Sequence, residues 1–400
     1  MSTAYKAYCQ VGDLADAQDF LTQIRHQLHR NPELSFKEAA TAEMVASRLT
    51  EWGYEVTRNV GGHGVVGRMQ LGDGQRKVSL RADMDALPIL EASGVQHASQ
   101  VAGAMHACGH DGHTTMLLGA ARQLARTKQF SGTLNLVFQP AEEGGRNSGA
   151  QQMIADGLFE RFPCDAIFGL HNHPGAPAGT FLFGSGPFMS ASDTVEILIH
   201  GKGGHAARPH LAVDPILIAG SLVMALQSVV ARNIDPVQTA VVTIGTLNAG
   251  IANNVIPESA SMGLSVRSFH PAVRDRLQQR ITELVTQHVA GYGGTVEIDY
   301  HRGHPVLVNS AAETEFARGV AEELVGSERT VAPFGPVTGS EDFAHYLLHR
   351  PGCFLRLGNG EASPMLHNAA YDFNDANLTV GAAYWTRLVE RFLAPDAAAA

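Results

Sequence analysis

The sequence predicts an α/β protein of two domains, in which a large sheet has helices on both faces and a smaller domain is inserted into the chain. Three observations predict this fold. The chain has 400 residues, which is more than one hydrophobic core usually serves. Apolar residues alternate between strand spacing and helix spacing, which favours a sheet covered by helices. A central stretch then shows a strand and helix order of its own.

The first half of the chain begins with two helices and continues with strands and helices in alternation. Apolar residues at helical spacing predict the helices, and Asn31-Pro32 ends the first of them. Short apolar runs bounded by Gly and Asp predict the strands. The predicted helices cover 14–30, 37–52, 113–126 and 150–156, and the predicted strands cover 54–57, 64–71, 77–81, 134–138 and 166–170.

Glycine and proline residues at 184–187 mark a boundary, after which the elements follow the order βαββαβ. This order is that of the split-βαβ, ferredoxin-like unit. Its strands are predicted at 194–200, 239–247, 258–269 and 295–300, and its helices at 215–230 and 271–289. We therefore predict an inserted domain over 189–301 and a main domain made of 1–188 and 302–400. Segments 311–324, 340–348, 353–357 and 376–392 complete the main domain.

Composition excludes several classes of function. Asp and Glu number 39 against 29 Lys and Arg, for a net charge of −10, and without a basic run we expect no nucleic-acid partner. The first residues lack the apolar run of a signal peptide, and no segment is expected to be long enough to span a bilayer. The four cysteines are irregularly spaced, unlike a disulfide framework. A cytoplasmic protein without membrane association is expected.

Histidine, cysteine and acidic residues cluster at five places. The densest is HACGHDGH at 106–113, where an extended segment would point Cys108 and His110 in the same direction. Thiolate and imidazole both bind borderline divalent metals. The candidate ligands are Cys108, His110, Glu143, His171 and His367. They exceed the needs of one tetrahedral metal, which favours two ions bridged by the Cys108 thiolate.

Acidic residues accompany these ligands. Glu142 and Glu143 are adjacent, which is costly unless a cation separates their roles, so that one binds metal and the other acts as a base. Asp83 follows the strand 77–81 and is predicted to orient a histidine ligand. For Asp85 a turn-forming role and a functional role are equally open. Asp111 is a candidate cap of the helix that follows it.

Eight segments resemble the amidohydrolase branch (subfamily D) of the M20 metallopeptidases, which contains hippurate, N-acyl-amino-acid and indole-acetyl-amino-acid hydrolases. They are RADMDALPI, MHACGHDGHTTMLLGAA, FQPAEEGG, GLHNHP, GKGGHAARPH, NVIP, GSEDF and LHN. The resemblance implies a three-layer α/β/α, zinc-peptidase-like catalytic domain that binds two divalent ions, and an inserted lid that often builds a homodimer or higher oligomer. It places the bridging ligand on Cys108, the other ligands on His110, Glu143, His171 and His367, and the general base on Glu142.

The resemblance also implies roles for residues of the inserted domain. His205 would stabilise the oxyanion, often from a partner subunit, and Asn254 and Arg267 would hold the carboxylate of the substrate, which suits an arginine fork. The chain departs from other M20 branches at Arg81, where they have a metal-binding histidine, and at Cys108, where they have aspartate. His63 and His97 are unexpected and receive no role, and His106 and His113 fit structural roles as well as metal binding.

We therefore expect metal-dependent cleavage of the amide bond of an N-acyl amino acid to a carboxylic acid and a free amino acid. Zinc or manganese is the expected metal, with cobalt and nickel as further candidates. The alternative is a dipeptidase or aminopeptidase with the same two metals. A cysteine hydrolase with Cys108 as nucleophile would leave Glu142 and Glu143 unexplained. A non-enzymatic metal-binding protein would have no need of Glu142, His205 or Arg267.

Overall fold

The computed structural model describes residues 8–394 in two compact units. The first contains the chain up to Gly186, Asn309–Gly335 and the chain from His345 onward; the second contains Pro187–Val308 and Pro336–Ala344. The predicted boundaries assigned 187–188, 302–308 and 336–344 to the main domain. Segment 336–344 differs because it bonds to the start of the insert: the Val337 N–H donates to the Phe188 carbonyl at 3.1 Å, and the Ser190 hydroxyl donates to the Thr338 carbonyl at 2.7 Å.

An eight-stranded mixed sheet forms the centre of the first unit. In spatial order its strands are Glu55–Val60, Gly64–Leu71, Gly132–Gln139, Lys77–Asp83, Ala166–Pro174, Gly352–Gly360, Phe181–Leu182 and Thr330–Val331. Gly132–Gln139 is buried at every position, so elements cover both faces of the sheet. The helices are Gln18–Arg30, Ala39–Glu51, His110–Thr127, Gly149–Ala155, Leu158–Arg161, Ala311–Val325 and Asn377–Phe392. The predicted α/β class is confirmed, and the sheet is mixed.

Parallel strands bring the chemically interesting segments to one edge of this sheet. Lys77–Asp83 and Gly352–Gly360 both run parallel to Ala166–Pro174, and the carboxyl ends of such strands share an edge. Two strands continue further than predicted, because Asp83 pairs with Gln139 and His171 pairs with Arg356. Both functional candidates therefore lie within strand ends rather than in the loops that follow.

The second unit has the predicted βαββαβ order. Its antiparallel sheet runs, in spatial order, Ala240–Ala249, Ser259–Ser268, Ala191–His200 and Thr295–Arg302, and its helices are Pro215–Asn233 and Pro271–Gly291. Two short ribbons pair Gly204–His205 with Val255–Ile256 and Gly186–Met189 with Leu307–Asn309. A short helix, Phe343–Leu347, begins in this unit and continues into the first. The strand order is that of a ferredoxin-like fold.

One helix of the second unit, Pro215–Asn233, is long and apolar enough to span a membrane by length and composition. The prediction that no segment reaches that length is therefore wrong. Ile218, Leu222 and Val229 of this helix are buried in the core of this unit, whereas Ile216, Leu217 and Met224 are exposed. A core helix passes the same test of length and composition, so the helix is weak support for a membrane segment.

Candidate metal centre

Cys108 and His110 lie on either side of a left-handed glycine. Gly109 has φ of +87°, and His110 is the first residue of the helix. The segment is therefore a turn, not the extended chain that was predicted, and the helix begins before the predicted position 113. A Cβ on Gly109 would lie 2.4 Å from Nδ2 of Asn172 and 2.5 Å from the hydroxyl of Tyr371. Glycine is required here for both conformation and space.

Two groups of potential ligand atoms share the Sγ atom of Cys108. The groups are Cys108, His110 and His171, and Cys108, Glu143 and His367, and within each group the atoms lie within 4.8 Å of one another. Sγ of Cys108 is 3.3 Å from Nε2 of His171, and Nε2 of His367 is 3.1 Å from Oε1 of Glu143. The structure thus brings all five predicted ligands together around one sulfur atom.

Hydrogen bonds at Nδ1 fix the rings of two of these histidines. Nδ1 of His110 lies 2.9 Å from the carbonyl oxygen of Asp85, and Nδ1 of His171 lies 2.7 Å from that of Asn172. Each Nδ1 therefore donates a proton, so Nε2 is the ring nitrogen that remains for a metal ion. Within residues 8–394, the buried Nε2 of His110 has no hydrogen-bond partner. A buried polar atom without a partner is costly, and a metal ion would satisfy it.

Burial and neighbouring groups shift the protonation of the ligands. Burial raises the pKa of the Cys108 thiol and lowers the pKa of His171 well below its usual value. Hydrogen bonds with Cys108 and Glu143 raise the pKa of His367 to about 10. The neutral His171 can donate its lone pair, whereas Cys108 needs a positive neighbour to become a thiolate. One sulfur, three imidazoles and one carboxylate form a donor set that would hold divalent cations.

His367 reaches the cluster from a loop. It has φ of +64°, and its backbone N–H donates to the carbonyl of Ala107 at 2.9 Å. This bond joins the loop to the segment that carries Cys108. The side chain of His367 is about half exposed, so the second group of ligands faces the open side of the cluster.

The two adjacent glutamates lie on a tight turn after the strand Gly132–Gln139. Ala141 has φ of +50°, and a single 3-10 turn covers Glu142–Gly144. Carboxylate oxygens of Glu142 and Glu143 lie within 4.8 Å of a ring nitrogen of His110 and of one another. Glu143 is also grouped with Cys108 and His367, and Glu142 is buried.

Asp83 forms a hydrogen bond with a histidine that is not one of the predicted ligands. Its Oδ1 lies 2.7 Å from Nδ1 of His113, and its Oδ2 accepts from Arg81 at 2.7 Å. Oδ2 is 3.7 Å from Nε2 of His110, and Nδ1 of His110 faces Asp85 instead. Asp83 therefore orients His113, which is outside the predicted ligand set. The strand explains this, since it continues through Asp83 and ends before Asp85, so the two carboxylates are presented by different backbone.

Two residues next to the cluster, Asn172 and Tyr371, were not predicted from the sequence. Nδ2 of Asn172 donates to the Cys108 carbonyl at 2.6 Å, and its Oδ1 accepts from the hydroxyl of Tyr371 at 2.7 Å. The backbone N–H of Asn172 donates to Nε2 of His113 at 2.9 Å. An asparagine between two histidines at the end of a buried strand was a signal that could have been used. Tyr371 gave none, because its partner is distant in the sequence.

The histidines without a predicted role have different surroundings. His97 lies 2.6 Å from the buried guanidinium of Arg25 and 3.1 Å from Asp372. Arg25 also donates to Asp111 at 2.9 Å, so Asp111 forms a buried ion pair, and Gly109 is the N-cap residue of the helix. Both ring nitrogens of the buried His106 have no hydrogen-bond partner among residues 8–394. His63 borders a surface pocket next to Glu43 and Arg58.

The second unit holds the other three predicted site residues. His205 pairs with Val255 in a two-stranded ribbon, and the Ala206 N–H donates to the carbonyl of Asn254 at 3.1 Å. His205 and Asn254 are therefore neighbours, and both are exposed. Arg267 lies on the strand Ser259–Ser268 and donates to the Ser340 hydroxyl at 2.9 Å. Burial lowers the pKa of Arg267.

Comparison with known proteins identifies related chains over almost the full length. The profile of peptidase family M20/M25/M40 matches residues 79–391. The hippurate hydrolase of Campylobacter jejuni is 42% identical, and the match covers 96% of this chain and 99% of the relative. Thermostable carboxypeptidase 2 of Saccharolobus solfataricus is 40% identical over 86% of this chain and 87% of the relative.

Solved structures show the same fold. The Bacillus subtilis YXEP protein, a dinuclear metal-binding peptidase of the M20 family, is 33% identical with a TM-score of 0.81, and the match covers 94% of this chain and 99% of that one. The predicted family is confirmed, because its profile covers well over half of the chain and the relatives match nearly end to end. The chain therefore belongs to peptidase family M20/M25/M40 and is an enzyme of the hydrolase class.

Proposed function

We propose that this enzyme is a metal-dependent amidohydrolase that cleaves N-acyl amino acids to a carboxylic acid and a free amino acid. The observation that carries the proposal is the pair of ligand groups that share Cys108 Sγ, with the carboxylate of Glu142 beside them. The similarity to a hippurate hydrolase over almost the whole chain supports the N-acyl amino acid as the class of substrate.

Glu142 acts as the base in this proposal. When bound, divalent ions would polarise the amide carbonyl and lower the pKa of water towards neutrality. Glu142 takes a proton from the attacking water and returns it to the leaving nitrogen, while the bond between acyl carbon and nitrogen breaks. The roles of His205 at the oxyanion and of Asn254 and Arg267 at the substrate carboxylate remain predictions from the family resemblance.

Zinc or manganese is the metal we propose, since a set of one thiolate, three imidazoles and one carboxylate suits borderline cations. All four cysteines, at 9, 108, 164 and 353, are free and buried, which supports a reducing cytoplasm as the location.

We also propose that the second unit mediates a homodimer. Ala240–Ala249 is an edge strand of its sheet, and Leu247 on this strand and Met224 on the neighbouring helix are exposed. An exposed apolar edge is typical of an interface. The mass of the protein in solution tests this, and a monomer would contradict it.

A second candidate activity is peptide hydrolysis with the same metals. The similarity to a carboxypeptidase favours it. The deciding experiment measures cleavage of N-benzoylglycine, N-acetylmethionine and an uncapped dipeptide by protein that is stripped with chelator and then resupplied with zinc or manganese. Metal-dependent cleavage of the capped substrates supports the amidohydrolase, and cleavage of the dipeptide alone supports the peptidase. Turnover without metal would contradict both.

A further inference from the structure

The side chain of Asp85 is buried and receives four hydrogen-bond donors. Its Oδ1 accepts the backbone N–H of Glu142 at 3.1 Å and lies 3.2 Å from Nδ1 of His110. Its Oδ2 accepts the backbone N–H of Glu143 at 3.0 Å and the hydroxyl of Ser35 at 2.7 Å. The Asp85 carboxylate therefore contacts the backbone of the proposed base, Glu142, and the backbone of a proposed ligand, Glu143. It also contacts the ring of His110, a second proposed ligand.

Only a carboxylate satisfies this arrangement. Two of the donors are backbone N–H groups, which cannot accept, and Nδ1 of His110 also faces the carbonyl oxygen of Asp85 at 2.9 Å and so carries its proton. An asparagine would turn an NH₂ group towards at least one N–H, and a buried donor without an acceptor is costly. A side chain that only stabilised a turn would need one acceptor atom, whereas both oxygens of Asp85 accept two hydrogen bonds each.

The neighbouring amide is held in the same way. The N–H of Ala141 donates to Oε1 of Glu38 at 2.8 Å, so two buried acidic side chains accept three consecutive amides, those of 141, 142 and 143. Ala141 itself is left-handed. The conformation of this turn therefore depends on acceptors that come from elsewhere in the chain, and Asp85 is the one that also contacts His110.

We propose that Asp85 is a positioning residue, which fixes the turn of Glu142 and Glu143 relative to the His110 imidazole so that metal binding and proton transfer share one geometry. The roles of base and ligand that it positions rest on the proposed function. The hydrogen bonds themselves do not.

The test compares Asp85→Asn with Glu33→Gln. Glu33 is a matched control because its carboxylate also accepts two consecutive amides, those of Ala40 at 3.0 Å and Thr41 at 2.8 Å, but at the start of a helix. For each protein we would measure the Zn²⁺ dissociation constant after chelator treatment, by competition with a chromogenic chelator. We would also measure kcat and KM on N-benzoylglycine and the unfolding temperature.

Asp85→Asn is expected to weaken Zn²⁺ binding and to lower kcat, each by about 10- to 100-fold, with KM unchanged. Glu33→Gln should leave the Zn²⁺ dissociation constant, kcat and KM as in the wild type. A folded Asp85→Asn protein with wild-type Zn²⁺ affinity and kcat would overturn the proposal, and so would an equal loss in Glu33→Gln. If Asp85→Asn does not fold, Asp85→Glu replaces it, because it keeps the charge and displaces both oxygens by one methylene; the same two outcomes then decide.

The two proposals can fail separately. If the wild type binds Zn²⁺ but cleaves no N-acyl amino acid, the proposed function is wrong. Weaker Zn²⁺ binding by Asp85→Asn would still support the positioning role in that case.

Discussion

The side-chain amide of Asn172 donates to the backbone carbonyl of Cys108 at 2.6 Å, so a residue outside the predicted ligand set holds the backbone of the sulfur that both ligand groups share. Tyr371 donates in turn to Oδ1 of Asn172 at 2.7 Å. Both polar groups pack against the bare Cα of Gly109. The turn between Cys108 and His110 is thus supported from its outer side by a strand and by a loop from late in the chain.

Gly109→Ala should therefore destabilise the protein and weaken metal binding. The left-handed backbone costs about 1–2 kcal/mol for alanine, and the clash with Asn172 and Tyr371 adds about 1–3 kcal/mol. Gly94→Ala is a matched control, since Gly94 has φ of +74° and no neighbour within 4 Å of an added Cβ. Urea unfolding should show only the backbone cost for Gly94→Ala. Equal losses in the two variants would contradict the packing argument.

The number of bound ions should depend on which ligand is removed. Cys108 belongs to both groups of ligand atoms, whereas His171 and His367 each belong to one. We expect Cys108→Ala to lose both ions and His367→Ala to retain one, as measured by elemental analysis after dialysis. Cys164→Ala, which removes another buried cysteine, serves as the control. One tightly bound ion in Cys108→Ala would show that the sulfur does not bridge.

Substitutions of the adjacent residues Glu142 and Glu143 should have different effects on kcat and on metal content. Glu142→Gln should lower kcat by about 10²- to 10⁴-fold, the usual contribution of a positioned acid–base group, with both ions retained. Glu143→Gln should lose an ion, because Glu143 belongs to the group with Cys108 and His367. Steady-state kinetics and metal content on the same samples distinguish them, and metal loss in Glu142→Gln would reverse the assignments.

Glu38 should make stability depend on pH. Burial raises the pKa of this carboxyl to about 7, so the folded state holds the proton between its ordinary pKa and about pH 7, while the unfolded state releases it. The free energy of unfolding therefore falls as pH rises through this window, by about 3 kcal/mol. Glu38→Gln cannot ionise and should lose less stability between pH 5 and pH 8 in urea titrations. Parallel losses in the two proteins would contradict the shift.

The grouping of the candidate ligands could be predicted from the sequence, because metal ligands are few residue types and Cys108 and His110 stand close together in it. The reason given for their common direction was wrong, since Gly109 makes a turn rather than an extended segment. The partners of the ligands were harder to predict. Tyr371 lies 199 residues from Asn172, and neither spacing nor periodicity reports a contact between such distant residues.

Asp83 and Asp85 also show that the contact partners of a residue are harder to predict than its identity as a candidate. Asp83 was expected to orient a ligand and contacts His113 instead, whereas Asp85, for which a simple turn was equally open, contacts His110. Their identities were clear from the sequence. Which histidine each one meets depends on where the strand ends and the helix begins, and both boundaries differ from the predicted ones.

The position of Gly352–Gly360 has a consequence for biosynthesis. This strand comes after the inserted unit in the chain, yet it lies between Ala166–Pro174 and Phe181–Leu182, which come before it. During synthesis, Ala166–Pro174 and Phe181–Leu182 therefore lack the strand that pairs between them until the insert has been translated. An exposed edge favours aggregation. Chains that stop shortly after the insert should therefore accumulate as insoluble protein. A chaperone would have the most effect before Gly352–Gly360 has left the ribosome, while the edge of the sheet is still unpaired.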